Sequence, residues 1–436
     1  MSAWQVFEVQ ILPTSPLQLG DESTVGSFQS TGDRIPGAVL RGAVAEHLMA
    51  HCSQPEYVTD HHRCPDRADC PFWQVFGGER EPLFGFAYPG RRGPAYPFPL
   101  TARTCKLYAG YEANDGRVHH GVYDLLLDRF FYELVTDPRF PAREALLPEL
   151  GRDWPRLQRV PEERCPLCGG PLARPVGTYA VGADGVPGDA GTLPVRRVVH
   201  VGINRARGVA EDGLLFVQEI IEPAREGFAF YARVAVPQTE VDLLRPYLDG
   251  ARYVVGRGRS RGLGAVEVAI RREGASSPDL QTRLADFQRA ARAVRRFYAE
   301  QDPRIGLDTA GTLFSLTLRS PAIFERYGRP LLVPTPAMLG LPPEVRLVRA
   351  WARPETVGGW NAAAGLPRRT RLAARAGGVY LFWVPPSVDR SALMDCLNRL
   401  EVEGIGRERA RGYGQVTVCA PFHVHNRLGA TERSQR

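Results

Sequence analysis

The strongest constraint on this chain is that part of it is nearly repeated. Val255-Gly256-Arg257-Gly258-Arg259-Ser260-Arg261-Gly262-Leu263-Gly264-Ala265-Val266 matches Ile405-Gly406-Arg407-Glu408-Arg409-Ala410-Arg411-Gly412-Tyr413-Gly414-Gln415-Val416 at seven of twelve positions, at a constant offset of 150. The flanking segments agree too. Phe228 to Pro237 alternates like a strand, and Glu240 to Leu248 carries Leu244 and Leu248 at helical spacing. Val379 to Pro385 is again strand-like, and Ser391 to Leu400 places Leu393, Leu397 and Leu400 on one face. Each loop is followed by another alternating strand, Ala265 to Ile270 and Gln415 to Cys419. Strand, helix, Gly/Arg loop and strand occur twice, so the simplest account is an internal duplication.

The chain is long enough to fold both copies. Its 436 residues, 44% hydrophobic and 24% charged, suit two or three domains and exclude wholesale disorder. No stretch approaches the roughly 18 apolar residues of a spanning helix, so a membrane protein is not expected. Met1 to Val9 lack the basic and apolar regions of a signal peptide, read as a first strand, and imply a cytoplasmic protein. Between the copies, Asp279 to Gln301 forms an amphipathic helix. Leu280, Leu284, Phe287, Ala291, Val294 and Phe297 lie on one face, with Arg283, Arg289, Arg292 and Arg296 available to the other as a solvated stripe. The predicted organisation is a first domain over 1–275 with an irregular insertion at about 51–197, a linking helix in 276–310, a second domain over 311–425 and a flexible tail at 426–436. Within the insertion, Val176 to Leu193 reads as a mobile loop.

The chemistry points to phosphate. The formal charge is +7, and of 55 basic residues only Lys106 is a lysine. Codon bias accounts for some of this, but arginine also offers phosphate a flat, bidentate fork. In the repeated loops, Gly256, Gly258, Gly262 and Gly264, and again Gly406, Gly412 and Gly414, allow close backbone approach. Arg257, Arg259, Arg261, Arg407, Arg409 and Arg411 supply charge beside them. A strand and not a helix follows each loop, which makes a dinucleotide fingerprint a poor alternative. One such loop reads equally well as a turn; two matching copies point to nucleic acid.

The eight cysteines are expected to be reduced, so close pairs suggest metal before disulfide. Cys165-Pro-Leu-Cys168-Gly-Gly has the form of a zinc-knuckle turn. Cys64 and Cys70 are the natural second pair, with His62, Cys52 and His51 as substitutes. Four such ligands close the site, so a structural zinc is expected to tie the insertion together. Cys105, Cys396 and Cys419 lie in apolar settings and read as core.

Ile35-Pro36-Gly37-Ala38-Val39-Leu40-Arg41-Gly42 reads as a turn opening a helix, with Leu40, Val44 and Leu48 inward. This turn resembles the one after the first strand in the RAMP superfamily of CRISPR effector proteins, and both Gly/Arg loops resemble that superfamily's glycine-rich loop. Val201-Gly202-Ile203-Asn204-Arg205 through Phe216 is similar to a segment leading into a central strand. Gly358-Gly359-Trp360-Asn361, Gly365-Leu366-Pro367-Arg368 and Gly378 to Phe382 resemble the type III subunits that cap the 5′ tag of the guide, particularly the III-D form with two fused domains. The resemblance implies an α+β fold of two ferredoxin-like, RRM-like domains. It also implies binding of CRISPR RNA and assembly with a large polymerase-like subunit and backbone RAMP subunits. Arg41 and the loop residues would hold the RNA backbone, and Trp360 would stack on a base.

Two other readings remain. An endoribonuclease processing guide precursor would use His119 or His120; His423 and His425 are a weaker pair beside the chain end. Backbone-forming relatives cut target RNA with an aspartate after the first strand, where this chain has Asp21 and Asp33. The expectation is a non-catalytic subunit. The third reading is a zinc-stabilised protein-only scaffold.

Overall fold

The computed structural model describes residues 4–427 except 21–23, 26, 51, 58–59, 92, 112–115, 159, 161–162, 183–184, 192, 224–226, 275–278, 308–310 and 362–363. Each half of the duplication builds one antiparallel sheet. In the first, the order is Ala251–Val254, Ala265–Glu273, Trp4–Pro13, Phe228–Pro237, Leu83–Phe84, and Tyr88–Arg91 also pairs with Phe228–Pro237. In the second, Arg346–Trp351, Val379–Val384, Thr312–Leu318 and Val416–Val418 follow one another. In both, the strand after the Gly/Arg loop pairs with the opening strand, which pairs with the strand before the helix. The fold is mixed α+β and rich in sheet.

Apolar spacing explains each layer. Phe7, Val9 and Ile11 turn one face of Trp4–Pro13 inward, against Leu40, Val44 and Leu48 of α1 (Gly37–Met49). Val379–Val384 is buried at every position, as a central strand covered on both faces must be. The halves differ where the first has α1: the second has only the 3-10 turn Pro336–Leu339.

The linking helix is Leu280–Ala299, opened by Asp279, whose carboxylate accepts a hydrogen bond from the Thr282 N–H at 2.7 Å. It is not a bridge with one solvated basic stripe. Its apolar face packs on the second sheet and on Leu126–Thr136, so a helix of the insertion shares the second core. Arg283, expected in solvent, is buried and donates twice to the Glu401 carboxylate at 2.7 Å. Arg295 is also buried and donates to the carbonyls of Gly306 and Leu146.

Two other expectations change. Val176 to Leu193 contains strands Thr178–Val181 and Pro187–Asp189, paired through the former to Ala95–Pro97, with Tyr179 buried. Near the chain end, the Asn426 carbonyl accepts from Asp124 N–H at 2.6 Å and Arg427 donates to Ala290. The remainder of the expected tail lies outside the described residues. No helix among them is long and apolar enough to cross a membrane.

The Arg283–Glu401 pair supplies a test. Removing one partner of a buried ion pair strands the other charge and costs about 3–5 kcal/mol. Glu401→Ala should lower unfolding free energy by that amount in a denaturant titration. Arg289→Ala, which removes an exposed partner of Asp286, should cost under about 1 kcal/mol.

Candidate functional site

The two Gly/Arg loops close by the same backbone bonds. Arg257 N–H donates to Gln18 O at 2.8 Å and Arg407 N–H to Ile323 O at 3.0 Å. Gly264 N–H reaches Pro16 O at 2.9 Å; Gly414 N–H reaches Pro321 O at 2.8 Å. The hydroxyls of Ser15 and Ser320 accept from Ala265 and Gln415 N–H at 2.8 and 2.9 Å. Each loop is therefore bound to a Ser-Pro step after its own first strand.

This geometry changes the meaning of the glycines. A Cβ on Gly256 would meet Gln18 O at 2.4 Å, and one on Gly414 would meet Ile405 O at 1.7 Å. Both residues also have positive φ. Loop closure itself requires glycine there, without any phosphate. Gly412 is likewise packed, 2.4 Å from Phe84 O for an added Cβ, whereas its counterpart Gly262 faces open space. The second loop is thus docked on the first domain, and the first loop is open.

Helix α1 lies between the loops. A Cβ on Gly37 would come within 1.9 Å of Phe84 O and 2.8 Å of Arg411 O, so the Pro36-Gly37 turn is where the second loop seats. Toward the other end, Glu46 pairs with Arg259 of the first loop at 2.8 Å. The second loop's arginines all have acidic partners: Arg407 with Glu325 at 3.0 Å, Arg409 with Glu403 at 3.2 Å, Arg411 with Glu408 at 2.8 Å. Arg257 and Arg261 are exposed and have no ion pair among the described residues.

Basic groups from three motifs converge where α1 begins. Burial, then repulsion from Arg411, holds the Arg368 guanidinium below its ordinary pKa; Arg41 adds to the repulsion and Glu408 opposes it. Arg41 donates to Glu81 at 2.6 Å and lies over the Phe76 ring, yet its Nε is buried without a hydrogen-bond partner among the described residues. Trp360, 61% exposed, stands on the hairpin Trp360–Asn361 and Leu366–Pro367, and the next residue, Arg368, donates from its N–H to Gly359 O. Such an arrangement of basic groups attracts an anion.

The proposed acid–base residues are placed differently. His423 is fully buried, its Nδ1 2.8 Å from Asp124 and its Nε2 2.7 Å from Thr317. It joins the insertion to the second sheet and has no opening to substrate. His119 Nδ1 meets the Ala109 carbonyl. Asp33 is exposed beside Arg34, and Asp21 lies outside the described residues.

The cysteines do not form the expected single set. Cys165 and Cys168 gather with Cys105 and His120, and Cys70 gathers with Cys52 and His61. Cys64 is buried but joins neither group; His51 lies outside the described residues. Cys105 is not simply core, and His120 faces thiols. The reason is sheet register: Thr104 pairs with both Val122 and Ala173, which brings together residues far apart in sequence. With metal–sulfur bonds of about 2.3 Å and metal–nitrogen bonds of about 2.0 Å, tetrahedral ligands sit about 3.5–3.8 Å apart. Here Cys105 and Cys168 sulfurs are 3.7 Å apart, and His120 Nδ1 is 3.3 Å from the Cys165 sulfur. Burial opposes the Cys105 thiolate, but the Tyr108 and Leu107 N–H groups and the neighbouring thiols outweigh it and lower its pKa. Gly169, at φ 65°, closes the knuckle with its N–H on Cys165 O at 2.8 Å. The cluster has the chemistry to hold a metal ion.

Residues 196–420, just over half of the chain, match the family model described as CRISPR-associated protein (Cas_Cmr3). The chain belongs to the Cmr3 family. It is a type III CRISPR-associated protein of the RAMP kind. No curated protein matches it. Among solved structures, a chain of the type III-B Cmr-beta complex bound to cognate target RNA and AMPPnP aligns with TM-score 0.39 and 8% identity, covering 86% of each chain. A Cas6 product complex aligns with TM-score 0.27 and 17% identity over 45% of this chain and 79% of that one. A Thermus thermophilus Cas6 gives 0.25 and 11%, over 44% and 75%. Likenesses this slight carry nothing about function.

The Cmr3-family match spans both Gly/Arg loops and Trp360. Sequence reading passed over Arg368 as a basic group, and it missed the paired Ser15-Pro16 and Ser320-Pro321, a repeat visible in the letters. The glycines give the test. Gly262→Ala, in open space at positive φ, should cost about 1–2 kcal/mol. Gly414→Ala should cost clearly more, in thermal unfolding measured without RNA.

Proposed function

We propose that this chain is a non-catalytic RNA-binding subunit of a type III CRISPR interference complex, holding the 5′ tag of the CRISPR RNA in cytoplasmic antiviral defence. The observation that carries the reading is the convergence of Arg41, Arg368 and Arg411, with a buried Arg41 Nε left unpartnered among the described residues and exposed Trp360 on the hairpin that leads to Arg368. The open first loop continues the basic surface along α1, about 20 Å away by the helix's 13 residues. There Arg257 and Arg261 are the available phosphate contacts. The second loop's exposed ion pairs are worth about 0–1 kcal/mol each, so phosphate competes for those arginines at little cost.

The strand orders support two ferredoxin-like domains, since each opening strand lies between the strand after the Gly/Arg loop and the strand before the helix. The fused two-domain III-D form rests on the Trp360 and Gly365 motifs alone. The large polymerase-like subunit and backbone RAMP subunits are the partners this reading requires. A non-catalytic role agrees with His120 lying among thiols and His423 being sealed in the core. The ion suited to Cys105, His120, Cys165 and Cys168 is zinc, bound as a closed structural site.

Four measurements test this. Fluorescence anisotropy with repeat-derived RNA should show that Trp360→Ala weakens binding by about 1–3 kcal/mol. Each phosphate contact on a single strand contributes about 0.7 to the slope of log affinity against log salt, so Arg257→Ala with Arg261→Ala should flatten it by about 1.4. Repeat RNA incubated with the protein should stay intact; cleavage at one position would establish the endoribonuclease instead. Metal analysis should show that Cys105→Ser loses the same zinc as Cys168→Ser.

A further inference from the structure

After α1 the chain passes Cys52, makes the 3-10 turn His61–Arg63 and reaches Cys70, the residue that precedes α2 (Pro71–Phe76). These three side chains point at one another. His61 Nε2 lies 3.8 Å from the Cys52 sulfur and 3.5 Å from the Cys70 sulfur, and all three ligand atoms fall within 4.8 Å. Those separations match the edges of a tetrahedron around zinc, about 3.5–3.8 Å.

A second observation is the state of the imidazole. His61 is 5% exposed, and its Nδ1 has no hydrogen-bond partner among the described residues. Its Nε2 has only thiols beside it, and a thiol is a weak donor. A metal would bind Nε2 and leave the ring proton on Nδ1, so the case for the ion rests on the three gathered ligand atoms. A cation at the centre gives Nε2 and two thiolates one strong common partner. Cys64, three residues beyond His61, is buried on the same turn with its N–H on the His61 carbonyl at 3.1 Å, but its sulfur is not among the three gathered ligand atoms.

We propose that Cys52, His61 and Cys70 bind a second metal ion of the zinc class. The site is separate from the Cys105 cluster and fastens the segment between α1 and α2. Binding releases protons from the thiols and involves no redox step. From the metal the packing runs through His61 on Phe72, ring centroids 4.7 Å apart, and Phe72 on Phe76 at 5.3 Å, to Arg41 over Phe76 at 4.5 Å. The ion thereby supports an arginine at the start of the basic surface. The metal assignment does not rest on RNA binding.

Native mass spectrometry of the full chain, stripped of metal and reloaded with zinc, tests it. The expected wild-type mass carries two zinc ions. Cys70→Ser and Cys168→Ser should each carry one, and the double variant none. A wild-type chain that takes up a single ion, lost in Cys168→Ser, overturns the proposal. So does a folded Cys70→Ser chain that still carries two. Should Cys70→Ser fail to fold, the wild-type count decides alone. RNA affinity enters none of these readouts, so they stand whether or not the chain binds a guide.

Discussion

The contact on which the molecule depends is the closure of each Gly/Arg loop on the chain just after its own first strand. Three hydrogen bonds recur in both copies, from residue 257 or 407, from 264 or 414, and from 265 or 415. They fix where the last strand enters the sheet, because that strand begins at the residue whose N–H the serine hydroxyl receives in the first copy, Ala265, and one residue after it in the second, at Val416. They also leave no room for a Cβ at the closing glycines. Loop shape and sheet register are thus one constraint.

The second copy's loop adds a further role. It seats on Phe84 and on the Pro36-Gly37 turn, so a segment of one domain completes the surface of the other. Tyr413 packs on Phe86 in a small shared core with Tyr88, Ile323 and Val357. The same contact sets Arg411 beside Arg41 and Arg368. Domain packing and the basic surface are consequences of one docking event, and the acids around Arg407, Arg409 and Arg411 hold that loop in shape for it.

Much of this was legible locally and little of it at a distance. The loops announced themselves because positive φ demands glycine at fixed positions, and Leu393, Leu397 and Leu400 marked a helix that does form, as Arg390–Glu403. The exposed Trp360 was visible as a motif. Of the thiol and imidazole clusters, Cys165, Cys168 and Cys70 were visible, but Cys105 and His120 were not, because they reach Cys165 only through a three-stranded sheet whose register the letters do not reveal. Arg283 misled for the opposite reason, and Arg295, which the sequence analysis did not single out, is buried in the same way. Helical periodicity assigns charge to solvent, and it cannot see a carboxylate such as Glu401 or the carbonyls of Gly306 and Leu146 waiting in the core. At Gly256, Gly264, Gly406, Gly412 and Gly414 packing supplies a reason for glycine that the letters did not show, since backbone atoms of the fold stand where a Cβ would go.

The docked loop and the open loop make the chain directional. The contact between copies is head-to-tail: it joins a loop of one to a strand edge and helix start of the other, two surfaces that are not alike. A contact of that kind does not close on itself within two units. It leaves one loop unspent at the first copy, where Gly262 meets nothing, and one sheet edge, Arg346–Trp351, at the end of the second sheet. The chain therefore has polarity, with chemically different ends, and tandem duplication has turned a symmetric pair of sequences into an asymmetric object.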